Sequence, residues 1–158
     1  MALGVNSAMG MQNQDNKKEK WADIPDFPEK TPQLEPKLVK KFVIACHANL
    51  PYVKEMLAEY PSLLNASWDW GSGDFERGIE GAGHMGNHEI AEFLLSRGAR
   101  MNIFCAAMLG HLEMVKGLIE AYPPLKDSKG PHGLGLLHHA KAGGERSKAV
   151  VLYIEKLG

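Results

Sequence analysis

The side chains best able to do chemistry crowd into one stretch, "SWDWGSGDFERGIEGAGH", residues 67–84. It holds the carboxylates Asp69, Asp74, Glu76 and Glu80, the cation Arg77, the imidazole His84, and the aromatics Trp68, Trp70 and Phe75. Two kinds of work are open to such a set. Exposed tryptophan and arginine dominate the energetics of protein interfaces, which makes residues 67–78 a recognition tip. Carboxylates beside an imidazole can instead serve a ligand or a reaction in a cleft by Asp69, Trp70, Glu80 and His84. The first reading is preferred, with Trp70, Asp69, Phe75, Arg77, Glu80, His84 and Met108 as the contact residues. For Trp68 and Trp70 two roles stand open, filler of the gap left by the irregular repeat or recognition tip, and both hold if Trp68 packs and Trp70 projects. The second stays as the alternative: a small-molecule- or metal-responsive protein, or an enzyme.

Catalytic signatures are missing. There is no Gly-x-Ser-x-Gly elbow and no glycine-rich loop followed by Lys-Ser or Lys-Thr. His84 and His88 lie four apart, but Gly86 between them argues against one shared helix face. His138 and His139 are adjacent and point apart. No histidine pair has the Cys, His, Asp or Glu complement of a zinc motif. Cys46, His84 and Met108 would offer soft donors, yet they fall in separate structural units about 10 Å apart by the spacing of packed helices. The sequence therefore predicts a non-enzyme with no catalytic residue, no metal and no cofactor.

The elements that must carry these side chains repeat. "VIACHANLPYVKEMLAEYPSL", 43–63, and "CAAMLGHLEMVKGLIEAYPPL", 105–125, are two versions of one pattern: a short helix, a break, a longer helix, then Tyr-Pro. Two further units share the break, at Gly86 in "GAGHMGNHEIAEFLLSRGA" and near Gly144 in "LLHHAKAGGERSKAVVLYIEKL". Glycine suits a residue that closes a helix in the left-handed conformation, and Asn49 is expected to replace it in the first unit. Ile90, Phe93 and Leu94, and Met114, Val115, Leu118 and Ile119, form apolar helical faces. Small residues precede each break: Ala45, Ala82 with Gly83, Ala106 with Ala107, and Ala140. They allow helix pairs to approach closely. One such pair cannot bury its own apolar face, so stacked neighbours must cover it.

The strings "AAMLGHLEMVKGLI", "HEIAEFLLSRGA" and "GLGLLHHA" resemble ankyrin repeats, and in particular small ankyrin-repeat proteins of bacterial type. The resemblance spans about residues 38–158, with units at about 38–66, 74–99, 102–127 and 133–158. It implies an all-α, helix-turn-helix solenoid of four irregular repeats and a non-catalytic protein-binding module. The concave face of that module is lined by first-helix positions, here Cys46, His84, Met108 and Ala142. It also places His138 at the family's turn histidine and His111 at a second structural position. The spacing departs from the family's period of about 33 residues. Breaks lie 38, 24 and 34 residues apart, so the finger between the second and third units is missing and the one before the second is enlarged.

Composition sets the outer bounds. The 158 residues carry a formal charge of −1 and are 44% apolar, which suits one domain and gives no global attraction to nucleic acid or anionic lipid. Two cysteines are too few for a disulfide framework. No apolar run reaches membrane-spanning length. The expected partner is another protein, with no nucleic acid and no membrane, and the chain is expected to be a monomer. Residues 1–20 read as a disordered tail and 21–37 as a proline-rich extended arm, with Trp21, Ile24 and Phe27 available to lie on the folded body. Two readings of residues 1–12 stand: a plain tail on a cytoplasmic protein, or the stub of a trimmed signal peptide on an exported, periplasmic one.

Overall fold

The computed structural model describes residues 32–158. The expectations for the tail, for the signal stub and for Trp21, Ile24 and Phe27 lie outside them. The described chain is mostly helical, with eight α-helices in four helix–turn–helix pairs and one two-stranded hairpin. The pairs are α1 Pro36–Ala45 with α2 Leu50–Glu59, α3 Gly78–His84 with α4 His88–Ser96, α5 Ile103–Met108 with α6 Leu112–Ala121, and α7 Leu136–Ala142 with α8 Lys148–Leu157. The hairpin, β1 Ser67–Asp69 and β2 Phe75–Arg77, precedes α3, and the small sheet it forms leaves the described residues consistent with the all-α class expected.

Helix starts follow from local chemistry. Glu35 caps α1 by accepting the Leu38 N–H at 2.7 Å, and Pro36 occupies the first turn, where its missing N–H is harmless. The helix thus begins two residues before the boundary expected at 38. Asn49, Asn87 and Asn102 cap α2, α4 and α5 through Oδ1, at 3.1, 3.1 and 2.9 Å. Asn49 is therefore a cap and not a left-handed break: its φ is −121°. Gly86 and Gly110 behave as the sequence predicts, and Gly144, the expected break of the fourth unit, is left-handed as well at +64°. Gly86, Gly98 and Gly110 have φ of +69°, +92° and +79°. Each ends a helix in a Schellman turn, in which Asn87, Ala99 and His111 N–H groups reach back to the carbonyls of Ala82, Leu94 and Ala106.

The first helices stack in chain order, α1 on α3, α3 on α5, α5 on α7. Val39, Phe42, Val53, Met56, Ile79, Ile90 and Leu94 build one core, and Ile103, Val115, Ile119, Leu136 and Val150 the other. Cys46 and Met108 are fully buried in the first of these cores, so two of the four positions expected on an open concave face are core. The stack is not strictly linear. Helix α7 also touches α3, one unit beyond its sequence neighbour. His88 Nε2 donates to the Gly143 carbonyl at 3.0 Å, and Arg146 pairs with Glu92 at 2.6 Å. A side chain at Gly86 would strike the Ala142 carbonyl, and one at Gly110 the Arg146 carbonyl.

Of the two adjacent histidines, His139 is the buried one and His138 is exposed. His139 Nδ1 donates to the Gly135 carbonyl at 2.9 Å, its ring lies 5.0 Å from that of Phe104, and Nε2 has no partner. Burial pushes its pKa down; the Gly135 bond opposes this, and positive charge on His138 and His84 adds to it.

Two tests follow from this packing. Gly98 has open space where a Cβ would sit, whereas Gly110 faces backbone, although both have positive φ. Gly98→Ala should cost about 1 kcal/mol, and Gly110→Ala about 2 kcal/mol or more, in denaturant unfolding; equal losses would mean that the fourth unit does not dock on the third-unit turn. For His139, an unfolded imidazole titrates near pH 6.5 and the folded one lower. Below about pH 6.5 the unfolded chain binds a proton that the native chain does not, so the His139 contribution is complete above that pH and declines as pH falls. Melting temperatures between pH 7.5 and 5 should fall less steeply for His139→Phe than for wild type.

Candidate functional site

Four donor atoms from four separated segments converge beside the hairpin: Nε2 of His47, His84 and His132, and Oε1 of Glu76. All lie within 4.8 Å of one another. His84 Nε2 is 2.9 Å from Glu76 Oε1 and 3.2 Å from His47 Nε2. Glu76 Oε1 is 3.6 Å from both His47 Nε2 and His132 Nε2.

Each side chain arrives by a local device. Glu76 is the middle residue of β2, paired with Trp68, and strand alternation turns it inward while Phe75 faces out. It is fully buried. Trp70 Nε1–H donates to its Oε2 at 2.7 Å. Burial pushes the Glu76 carboxyl up, but hydrogen bonds from His84 and Trp70 and the charges of His47 and His84 outweigh this and hold it below the ordinary value. His84 is the last residue of α3. His47 follows α1 and its Nδ1 meets the Val43 carbonyl at 2.9 Å, one helical turn back. His132 lies in the 131–133 turn with φ of +59°, a conformation uncommon outside glycine. Asp74 holds it there: Oδ1 accepts the His132 backbone N–H at 2.8 Å and Oδ2 the ring Nδ1–H at 2.7 Å. The His132 backbone bond, followed by its ring, keeps the Asp74 carboxyl below its usual range against some desolvation.

Helix α3, "GIEGAGH", has three glycines in seven residues, poor helix material. Their role is space. A Cβ on Gly78 would come within 2.6 Å of Cys46 Sγ, and one on Gly81 within 2.9 Å of His47 Cε1 and 3.5 Å of Glu76 Oε1. The bare backbone lets the turn after α1 press close enough for His47 to reach the carboxylate.

The residues singled out from sequence divide three ways. Asp69, Trp70 and Phe75 are exposed on the hairpin. Asp69 Oδ1 accepts the Gly71 and Gly73 N–H groups at 2.8 and 3.2 Å, which shapes the tip. Arg77 and Glu80 form an internal pair at 2.8 Å, and Glu80 Oε1 also accepts from Asn102 Nδ2 at 2.7 Å. Glu80, a buried residue, ties the start of α3 to the start of α5 and is not a contact surface. Met108 is buried completely and drops out of the contact set. His84 belongs to the new cluster. The sequence offered no ligand set, whereas the structure gathers one group that could hold an ion, and His47, Glu76 and His132 had no local motif to announce them. The one available signal was Pro131-His132-Gly133, a turn that forces its central residue outward from regular structure.

The cluster can hold a cation. The two cysteines add no nucleophile, since burial, followed by the charge of Glu80, pushes Cys105 up to about 12 and burial raises Cys46 further. A groove of about 330 Å³ elsewhere is lined by Lys54, Leu57, Ala58, Pro61, Leu64 and Arg97, with no acid and no imidazole. Comparison with protein-family models, curated proteins and solved structures returns no match.

Gly81→Ala tests the close approach. On an exposed helix this change adds about 1 kcal/mol of stability. Here it should lower stability and shift the His47 imidazole NMR signals; a stabilised variant with unmoved signals would show that His47 does not rest on α3.

Proposed function

We propose that the chain is a non-catalytic binding module of ankyrin type that holds another protein along its hairpin. The ankyrin reading is supported by the order of the elements: four helix–turn–helix pairs, first helices stacked on one another, glycine turns of positive φ, and a hairpin finger ahead of the second unit. The short connection between α4 and α5, residues 97–102, departs from the family's pattern, as the 24-residue spacing led one to expect.

The observation that carries the binding reading is the outer edge of the hairpin. Phe75 is 59% exposed and Trp70 36% exposed, with Asp69 and Arg77 beside them. A large ring in water on a rigid, hydrogen-bonded support is a good anchor, because little conformational freedom is left to lose when a partner covers it. Charged neighbours supply the polar rim. The contact set thus narrows from seven residues to Trp70, Asp69 and Phe75, with Arg77 at the margin.

Phe75 is the cleaner probe, because Trp70 also donates to Glu76. With a partner identified by crosslinking in the native host, Phe75→Ala should weaken its binding by about 2 kcal/mol, while unfolding stability changes by under about 0.5 kcal/mol. Undiminished affinity in both Phe75→Ala and Trp70→Ala would remove the hairpin from the interface.

A further inference from the structure

We infer that His47, Glu76, His84 and His132 form a binding site for one first-row divalent transition metal of zinc type.

Geometry is the first support. A four-coordinate ion with donors at about 2.0–2.1 Å sets donor–donor edges of about 3.4 Å. Of the six donor–donor edges, four are 2.9, 3.2, 3.6 and 3.6 Å and bracket that value, and the two from His132 Nε2 to the other rings stay within 4.8 Å. Three imidazoles and one carboxylate favour zinc, cobalt, nickel or copper over magnesium or calcium, which prefer oxygen.

The outer contacts are the second support. A ligating histidine commonly donates its other ring N–H to a carbonyl or carboxylate, which fixes the tautomer and aims the lone pair at the ion. His47 Nδ1 faces the Val43 carbonyl, and His132 Nδ1 faces the Asp74 carboxylate. With Nδ1 protonated, the neutral form of each ring carries its lone pair on Nε2. Both Nε2 atoms then face the Oε1 of a buried carboxylate at 3.6 Å, acceptor against acceptor. His84 Nε2 lies within 3.2 Å of both Glu76 Oε1 and His47 Nε2, and with its proton on Nδ1 it turns a third imidazole lone pair to the same centre. Such a ring of lone pairs is stable around a cation. Trp70 Nε1–H takes up the far oxygen of Glu76, leaving Oε1 for the ion.

Backbone conformation is the third support. His132 sits in a strained left-handed turn held by two bonds from Asp74 of the hairpin, and such outliers cluster where a ligand is clamped. The ion would join the turn after α1, the hairpin, the end of α3 and the loop before α7, fixing the finger to the body at a point no regular hydrogen-bond ladder reaches.

The test uses untagged full-length protein, stripped with a chelator and then freed of it. Zn²⁺ is titrated against a chromophoric competitor, and Co²⁺ is followed by visible absorption. One equivalent should bind with a Kd of about 1 μM or below. The cobalt form should show the intense d–d bands of a four-coordinate ion. His84→Ala and His132→Ala should each weaken binding about 100-fold, and Asp74→Asn, which removes only an outer contact, about 10–100-fold. His111→Ala, on a distant turn, and Phe75→Ala, on the outer hairpin edge, should bind metal like wild type. The Phe75 variant keeps this inference separable from the proposed partner interface. Because His132 lies on an exposed turn, its variant reads the site even where His84→Ala fails to fold. Absence of saturable one-to-one binding overturns the assignment. So does wild-type affinity in His132→Ala, or a six-coordinate cobalt spectrum.

Discussion

A carboxylate withdrawn from water must be met by donors or by a cation, and Glu76 is such a carboxylate. Its position on β2 leaves no alternative: with Phe75 facing out, strand alternation drives its neighbour in. Everything nearby is arranged around this constraint. Trp70 donates to one oxygen, His84 to the other, and His47 and His132 close the remaining sides. Breaking one of these partners away would leave buried charge uncompensated, which is far more damaging than the loss of an ordinary surface pair. The glycines of α3 follow from the same demand. Each lowers the intrinsic stability of a seven-residue helix, and each admits a neighbour that a Cβ would exclude.

The uneven spacing of the units is what brings His132 within reach. Only residues 97–102 separate α4 from α5, so nothing stands between the hairpin and the 131–133 turn. The later turn comes down onto the hairpin, its backbone bonding to Asp74 and its ring lying 5.9 Å from Trp70 and 5.4 Å from His84. The same shortening lets α7 touch α3, where the turn glycine Gly86 closes against the Ala142 carbonyl, while Gly110 closes the third-unit turn against the Arg146 carbonyl. In a regular repeat array each unit meets only its neighbours. Here the second and fourth units meet, and the histidine–carboxylate cluster sits at one end of their junction.

Local signals were legible and this junction was not. Helical periodicity, Tyr-Pro stops and left-handed glycines each act over a few residues, so the four helix pairs and the turns at Gly86 and Gly110 could be read from the chain directly. The irregular finger could be read too, from the 38- and 24-residue intervals. Asn49 misled because asparagine serves both as a left-handed residue and as an N-cap, and only the backbone distinguishes the two. Met108 and Cys46 misled because the expected open face is closed in this stack by α7 and by Gly78. The cluster escaped for a different reason. Its members lie 37 and 8 residues from His84 and, for His132, beyond three further α-helices, so only the tertiary arrangement defines them.

Trp70 joins the proposed partner edge to the proposed metal cluster. Its ring forms part of the exposed hairpin edge, and its indole N–H is bonded to the Glu76 oxygen turned away from the cluster. Lys40, on α1, lies over both Trp70 and Trp68, 5.7 and 5.4 Å from the ring centres, which fixes the hairpin against the first helix. The hairpin is only three residues per strand, too short to hold its own shape in water. Its rigidity must come from these attachments at its base and from Asp74 at its tip, through His132. A cation drawn to Oε1 would strengthen the charge separation across Glu76 and fix the rotamer from which Oε2 receives the indole. The order of the outer aromatic edge and the occupancy of the inner cluster are therefore linked through one side chain, since any displacement of Glu76 withdraws the acceptor that orients Trp70.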